Sequence, residues 1–304
     1  MDVYYLVDFS LLSKKTKLLA EALNVKSMPI DIYVTNKLAV YADNKINVCD
    51  IFLMDVEIPV ALAKRKKTGY KPKIYEKEFL EHVLILTKQT TVRTLLFCEN
   101  LDETFLPTVF SCVPNCENVH IYENVSESAQ RKILSKYRKA TNQLRLYSIP
   151  PEHIRKEIAM RNLDYLGIYD KWMTLDYMLS ANCATLGCDQ IDMKILNKFL
   201  RLWIRKKCNP RLEYLWTDIW DQVEEKVQTL LAGIDYVEVP ANTIRIFQHS
   251  KKAIESDVDW LTMTDTVEVC GGYDFMRRDG TRATVAIRKV DGINQLEFFV
   301  WYCV

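Results

Sequence analysis

The chain has 304 residues, 49% hydrophobic and 27% charged, which is enough apolar material for one large or two medium cores and argues against disorder. Lys plus Arg (41) nearly balance Asp plus Glu (40), so no global field draws the protein to nucleic acid or to an anionic membrane. The first twelve residues lack a basic head and no stretch reaches the roughly 18 apolar residues of a membrane span, so neither secretion nor membrane insertion is expected.

Nine cysteines, an odd number without framework spacing, suit a reducing compartment. The predicted location is intracellular, cytoplasmic and/or nuclear, with free and mostly buried thiols. The sequon Asn124-Val125-Ser126 is then irrelevant.

In chain order, Phe9 to Asn24 reads as a short amphipathic helix, with Leu11, Leu12, Leu18, Leu19, Ala22 and Leu23 around lysines at 14, 15 and 17. Alternating β-rich runs follow at Ile30 to Thr35, Lys37 to Ala42 and Ile46 to Val56, and predict a small antiparallel meander. The basic segment Lys64 to Lys73 contains Gly69 and Pro72 and reads as an exposed loop. Its Lys64-Arg65-Lys66-Lys67 run is either a phosphate-contacting or nuclear-import patch or an ordinary solvated loop.

The middle of the chain repeats an apolar-x-apolar strand signature, each time followed by a helical stretch. The pairs are Leu95/Phe97, Val119/Ile121, Leu144/Leu146, Leu166/Ile168, Leu186/Cys188 and Leu212/Tyr214. They recur every roughly 20 to 26 residues, the spacing of leucine-rich repeats. Helices are predicted at Glu103 to Val113, Ser128 to Lys139, Pro151 to Arg161, Thr174 to Ser180 and Asp192 to Lys207. The last of these places Ile195, Leu196, Phe199, Leu200 and Trp203 on one stripe. The repeat asparagine occurs only as Asn100 and Asn124, so the solenoid is irregular.

After about Leu230 the pattern turns to strands, at Tyr236 to Val239, Thr243 to Gln248, Thr266 to Cys270, Tyr273 to Arg277, Ala283 to Lys289 and Leu296 to Tyr302. Asp279-Gly280 and Asp291-Gly292 mark two hairpins. The predicted fold class is α/β: an irregular leucine-rich-repeat-like strand–helix solenoid with a parallel sheet, an antiparallel C-terminal β cap, and a short N-terminal helix and β meander. An ordinary α/β domain is the alternative.

No chemistry-bearing constellation emerges. His82, His120, His153 and His249 sit in no nucleophile elbow or zinc-protease helix, and no Walker-type glycine loop exists. Cys112, Cys116 and His120, with Cys98 as a fourth, have a spacing that suggests metal but straddle a helix end and a strand, so buried thiols are the default. The expectation is a binding protein, not an enzyme, with no metal and no cofactor. Trp203, Trp216, Trp220 and Trp301 read as packing groups, with Trp216 and Trp220 as exposed anchors only if they face an open sheet.

Several segments together resemble the F-box-associated domain of type 2 found in nematode F-box proteins. They are Leu196 to Ile204, Arg211 to Leu215, Tyr273 to Val285 and Phe298 to Trp301. Residues Phe9 to Leu18 and Asn24 to Lys26 resemble the second half of an F-box, whose Leu-Pro-containing first half the sequence does not supply, so a truncated F-box is expected. Lys207-Cys208-Asn209 departs from the family, which often has glycine there.

The resemblance implies four segments: 1–25 as a partial F-box remnant, 26–75 as a β-rich connector with the basic loop, 76–230 as the repeated strand–helix region, and 231–304 as the antiparallel part of the F-box-associated domain. It implies substrate recognition for a cullin-RING ubiquitin ligase, with the F-box-binding adaptor contacted through Phe9, Leu11, Leu12 and Lys15. Target contacts are assigned to Glu99, His120, Arg145, Glu213 and Trp216. The strand positions among these alternate with the apolar pairs and so point to the opposite face, alongside Gly167 and Gly187. The target protein is unknown, and the alternative is a target-binding protein that has lost adaptor docking and acts outside ligases.

Overall fold

The computed structural model describes residues 15, 30–35, 38–44, 47–53, 76–86, 91–98, 101–139, 141–206, 208–249, 266–290 and 292–302. The predicted N-terminal helix, apart from Lys15, and the whole basic loop lie outside them. The chain divides into two compact units, residues 1–141 and 142–304.

In the first unit, β1 (Ile30–Val34), β2 (Leu38–Asn44) and β3 (Asn47–Leu53) form the antiparallel meander expected from their alternation. Two further strands, β4 (Val92–Phe97) and β5 (Cys116–Ile121), extend it in parallel, giving the order β3-β2-β1-β4-β5. The helices are α1 (Glu76–Leu86), α2 (Leu106–Cys112) and α3 (Glu127–Lys136). The sequence reading missed α1, which buries Leu80, Val83 and Leu86 at helical spacing. Ser126 caps α3 by accepting from the Ala129 amide at 3.0 Å. Arg93 forks onto the buried Asp31 across the β1–β4 pair, so that carboxylate is compensated.

In the second unit, β6 (Gln143–Leu146), β7 (Tyr165–Ile168), β8 (Thr185–Cys188) and β9 (Tyr214–Ile219) run parallel. They are connected through α4 (Glu152–Ala159), α5 (Leu175–Ser180) and α6 (Met193–Ile204). Strands adjacent in sequence are adjacent in space. The three connecting helices pack side by side along one face, α4 on α5 and α5 on α6. Leu144, Leu166, Leu186 and Leu215 share one register row and are fully buried under those helices.

That register corrects the sixth signature. The partners of Leu186 and Cys188 are Leu215 and Thr217, not Leu212 and Tyr214. Leu212 is buried but lies ahead of the strand, in a turn entered through Asn209 at φ 29°. An apolar alternation alone does not say where the ladder starts.

After α7 (Val223–Leu231), also missed from sequence, four long antiparallel strands complete the sheet: β10 (Val237–Gln248), β11 (Thr266–Met276), β12 (Arg282–Val290) and β13 (Ile293–Trp301). Their order is β9-β13-β12-β11-β10, with β10 at the edge. Both Asp-Gly hairpins are present: Arg277 pairs with Thr281 around Gly280 (φ 87°), and Val290 pairs with Ile293 around Gly292 (φ 86°). The observed class is mixed α/β, with parallel strands in both units and an antiparallel C-terminal group.

Four predicted segments merge into two strands here, because β10 has a register shift between Val239 and Ile244 opposite Gly271 and Gly272 at φ 61° and 108°. A Cβ on Gly271 would lie 2.9 Å from the Ala241 backbone, and one on Gly272 would lie 2.6 Å from the Val285 carbonyl oxygen. The glycines therefore bend the ribbon while the pairing continues on both sides.

Candidate binding surface

On the face of the second sheet away from the helices, one row is Gln143, Tyr165, Thr185 and Tyr214, and the next is Arg145, Gly167, Gly187 and Trp216. The two glycines make room for rings. A Cβ on Gly187 would lie 2.6 Å from the Trp216 indole, and one on Gly167 would lie 2.7 Å from the Tyr165 ring. Arg145 stacks its guanidinium 5.0 Å above Tyr165. Tyr169 stacks on Tyr147 at 4.2 Å and leans on Trp216 at 6.0 Å.

This face was expected to be open, and it is not. Phe247 on β10 sits 6.2 Å from Tyr214 and 5.1 Å from Phe299, ring to ring. In a flat sheet β10 would stand about 19 Å from β9, four strand spacings away. The sheet therefore curls, and the β10–β11 ribbon lies over the face, burying Tyr165, Tyr214, Trp216, Phe247, Val267, Val269 and Phe299 in one cluster.

Polar groups hold the ribbon down. Arg245 on β10 donates to both oxygens of Asp274 at 2.9 and 2.8 Å and to the Gly271 carbonyl at 3.0 Å. Thr284 donates to Asp274 at 2.6 Å and accepts from the Trp301 indole at 2.7 Å. Arg245 and Arg282 each stack on Trp301, at 5.1 and 5.4 Å. Under the ribbon the buried Glu297 accepts from the Tyr214 hydroxyl and from a two-pronged Arg288. Burial first, and then the Glu297 charge, pushes the Tyr214 phenol well above its ordinary value.

Phe9, Leu11, Leu12 and Glu99 lie outside the described residues, and Lys15 is helical and exposed. Arg145 and Trp216 do point away from the helices but are buried, as is His120 on β5 of the first unit. The expectation that they present an open surface is corrected, because period-2 alternation fixes a direction and not what covers it. Glu213 precedes β9 and is half-buried.

Of the tryptophans, Trp203 is fully buried, with Phe298 edge-on at 5.1 Å and Arg277 at 4.8 Å, while Trp220 is 59% exposed. Cys183 and Cys188 are buried, Cys270 is exposed, and Cys98, Cys112 and Cys208 are half-buried. Burial pushes the Cys183 thiol up to about 12 and the Cys208 thiol up to about 11, so neither is a ready nucleophile at neutral pH. Among the described residues no cluster of His, Cys, Asp and Glu could hold a metal ion, and no helix is long and apolar enough to cross a membrane.

The second unit also exposes apolar side chains on and near its edge strand. Tyr236, Val237, Ile244, Ile246 and Met276 are each between 47% and 70% exposed. On the ribbon's outer face, Ile244 pairs with Cys270 and Ile246 with Glu268, all four side chains exposed. No strand pairs with the outer edge of β10 among the described residues. An unpaired edge strand that also exposes Val237, Ile244 and Ile246 offers a template for another chain. Sequence reading marked these segments as strands; an edge becomes visible only once strand order is known.

Fold and surface together define a mixed α/β protein with a closed aromatic face and an exposed apolar edge. A family model described as F-box associated matches residues 154–217, from within α4 to β9. The match contains the Leu196–Ile204 and Arg211–Leu215 segments, whereas the C-terminal segments Tyr273–Val285 and Phe298–Trp301 lie beyond it. No curated protein matches the chain, and no solved structure does.

Proposed function

We propose that this chain is a target-recognition protein of the F-box type, the substrate-binding subunit of a cullin-RING ubiquitin ligase in the cytoplasm and/or nucleus. The F-box associated match at residues 154–217 carries the reading. The chain does no chemistry itself; it holds a target near a ubiquitin-loaded partner and so raises their effective concentration. Residues 1–25 face the ligase adaptor through Phe9, Leu11, Leu12 and Lys15. The target contacts the exposed β10 edge and ribbon of the second unit, since an extended peptide adds to an unpaired strand through main-chain hydrogen bonds and side-chain pockets. Buried Arg145 and Trp216 shape that surface from beneath. Reading residues 76–230 as an irregular repeat solenoid belongs to the same proposal.

Co-purification of the full chain with its cellular partners tests the assignment. Recovery of a cullin and an F-box adaptor, reduced in the Leu11→Asp/Leu12→Asp variant, supports ligase membership. If neither is recovered under conditions where a complete F-box protein retrieves both, the ligase reading is wrong and a target-binding protein acting outside ligases replaces it.

A further inference from the structure

The parallel strands β6 to β9 all end at one margin of the second unit, and carboxyl ends of this kind are where open α/β sheets hold their ligands. One row of residues lies there, just beyond the closed aromatic rows. The Tyr169 amide donates to the Leu146 carbonyl at 2.9 Å, the Asp189 amide to Ile168 at 3.1 Å, and the Asp218 amide to Asp189 at 3.1 Å. Tyr147 stacks on Tyr169, Gln295 of β13 pairs with Asp218, and Arg288 of β12 pairs with Gln295.

Two groups in this row lack what burial demands of them. Asp218 is half-buried, and that burial raises its carboxyl, opposed only by the Gln295 amide, which donates to it at 3.1 Å. Among the described residues Asp218 makes no ion pair, because Arg288 forks onto Glu297 and Lys226 pairs with Asp221 at 2.5 Å. Gln295 is only 3% exposed, and with its Nε2 committed to Asp218 its Oε1 has no hydrogen-bond partner among the described residues. A buried acceptor without a donor and a half-buried carboxylate without a cation both destabilise the chain that carries them.

A water molecule would satisfy the Gln295 oxygen but brings no countercharge to Asp218. A hard divalent metal ion takes roughly six to eight oxygen ligands, more than two carboxylates and one amide supply beside tyrosine rings. A guanidinium answers both groups at once, since its planar fork of donors reaches a carboxylate and a neighbouring carbonyl together and its face stacks on aromatic rings. The chain already uses that stacking on this face, where Arg145 lies 5.0 Å over Tyr165. Tyr147 and Tyr169, stacked at 4.2 Å and both half-buried, offer further rings, and Tyr169 leans toward β9 to within 6.0 Å of Trp216. Exposed Trp220 just past Asp218, and exposed Ile149 just past Tyr147, give apolar ground for the residues flanking such an arginine, which favours a peptide over a free amine.

We propose that Asp218 and Gln295, beside the Tyr147–Tyr169 stack, bind an arginine side chain of a partner protein. This rests on the reading of the second unit as the target-binding part, and adds a chemical requirement that the β10 edge does not impose. The full chain is tested against degenerate peptide libraries holding arginine, lysine, citrulline or glutamine at one fixed position, with calcium and magnesium titrated separately. Arginine libraries should be retained about tenfold better than citrulline ones, which keep the shape but not the charge, with lysine between them. The preference should vanish in Asp218→Asn and persist in Asp221→Asn, whose carboxylate is exposed and paired with Lys226. Because Asp218→Asn removes a charge without a cation and keeps an acceptor for the Gln295 amide, its melting temperature should equal or exceed the parent's. A carboxylate serving only the fold would instead lower it when replaced.

Equal retention of arginine and citrulline libraries overturns the proposal, as does a preference that survives Asp218→Asn, a melting temperature lowered by that change, or binding of calcium or magnesium in place of any arginine preference. Failure here, with cellular targets still lost in β10-edge variants, leaves target recognition standing. Arginine-dependent binding without edge-dependent targets condemns the β10 docking surface instead.

Discussion

Replacing Gly187 by alanine tests how the aromatic face is built. The new Cβ would lie 2.6 Å from three indole atoms of Trp216, where ordinary contact begins at 3.4 Å, so about 0.8 Å must be found. The indole has nowhere to retreat, being 1% exposed and packed in one cluster with Tyr214, Val269 and Phe299. Overpacking of this kind costs about 1–3 kcal/mol. Alanine also restricts the unfolded chain, which returns about 0.4–1 kcal/mol.

The expected net loss is therefore about 1–2 kcal/mol, read by urea unfolding followed by circular dichroism so that Trp216 is not its own reporter. At roughly 2–4 °C per kcal/mol for a unit of this size, the melting temperature should fall by about 2–8 °C. In a Trp216→Leu background the same change should be neutral or mildly stabilising, giving a coupling of about 1–3 kcal/mol. An equal cost in both backgrounds would show that the indole does not rest on Gly187.

Thr284→Val should strand the Trp301 indole and one lone pair of Asp274, costing about 1–3 kcal/mol and speeding amide exchange in β10 and β11; unchanged exchange there would show that the network does not hold the ribbon. Hydrogen bonds from Arg277, then from Thr281, hold the Asp279 carboxyl well below its ordinary value. Its contribution to the turn is present above the unfolded carboxylate value of about 3.9 and is lost as pH falls through the lower folded value, so Asp279→Asn and the parent should differ at neutral pH and converge in acid. A nuclear magnetic resonance titration of Asp279 with an unshifted midpoint refutes this. Thiol labelling at pH 8 should modify Cys270 rapidly and leave Cys183 and Cys188 unmodified until the chain unfolds; early labelling of either buried thiol contradicts the packing of the second unit.

Much of the fold was legible because burial leaves a local trace. Leu144, Leu166 and Leu186 announce strands that the helices cover completely, and the Asp-Gly pairs at 279–280 and 291–292 mark hairpins because glycine takes the positive φ there. The start of β9 was not legible, because Leu212 is as buried as Leu215 while standing outside the ladder.

The surface was the least legible part. Arg145 reads correctly as facing away from the helices, whereas the side of Trp216 was not legible from the Leu212/Tyr214 pairing; Trp216 is buried in a cluster with Phe247, Val267 and Val269, brought over it by a bend at Gly271 and Gly272 that no local periodicity encodes. The exposed row Ile244 and Ile246 likewise looks like ordinary strand until the sheet order leaves β10 at the edge.

The most direct test of target recognition through that edge compares the parent chain with the Ile244→Asp/Ile246→Asp variant in quantitative proximity labelling inside cells. Both side chains are more than half exposed, so the variant should fold as the parent does, as checked by its melting curve. The account predicts a discrete set of proteins labelled by the parent and lost in the variant, while any adaptor contact made by residues 1–25 persists. Identical labelling by the two folded proteins would contradict it.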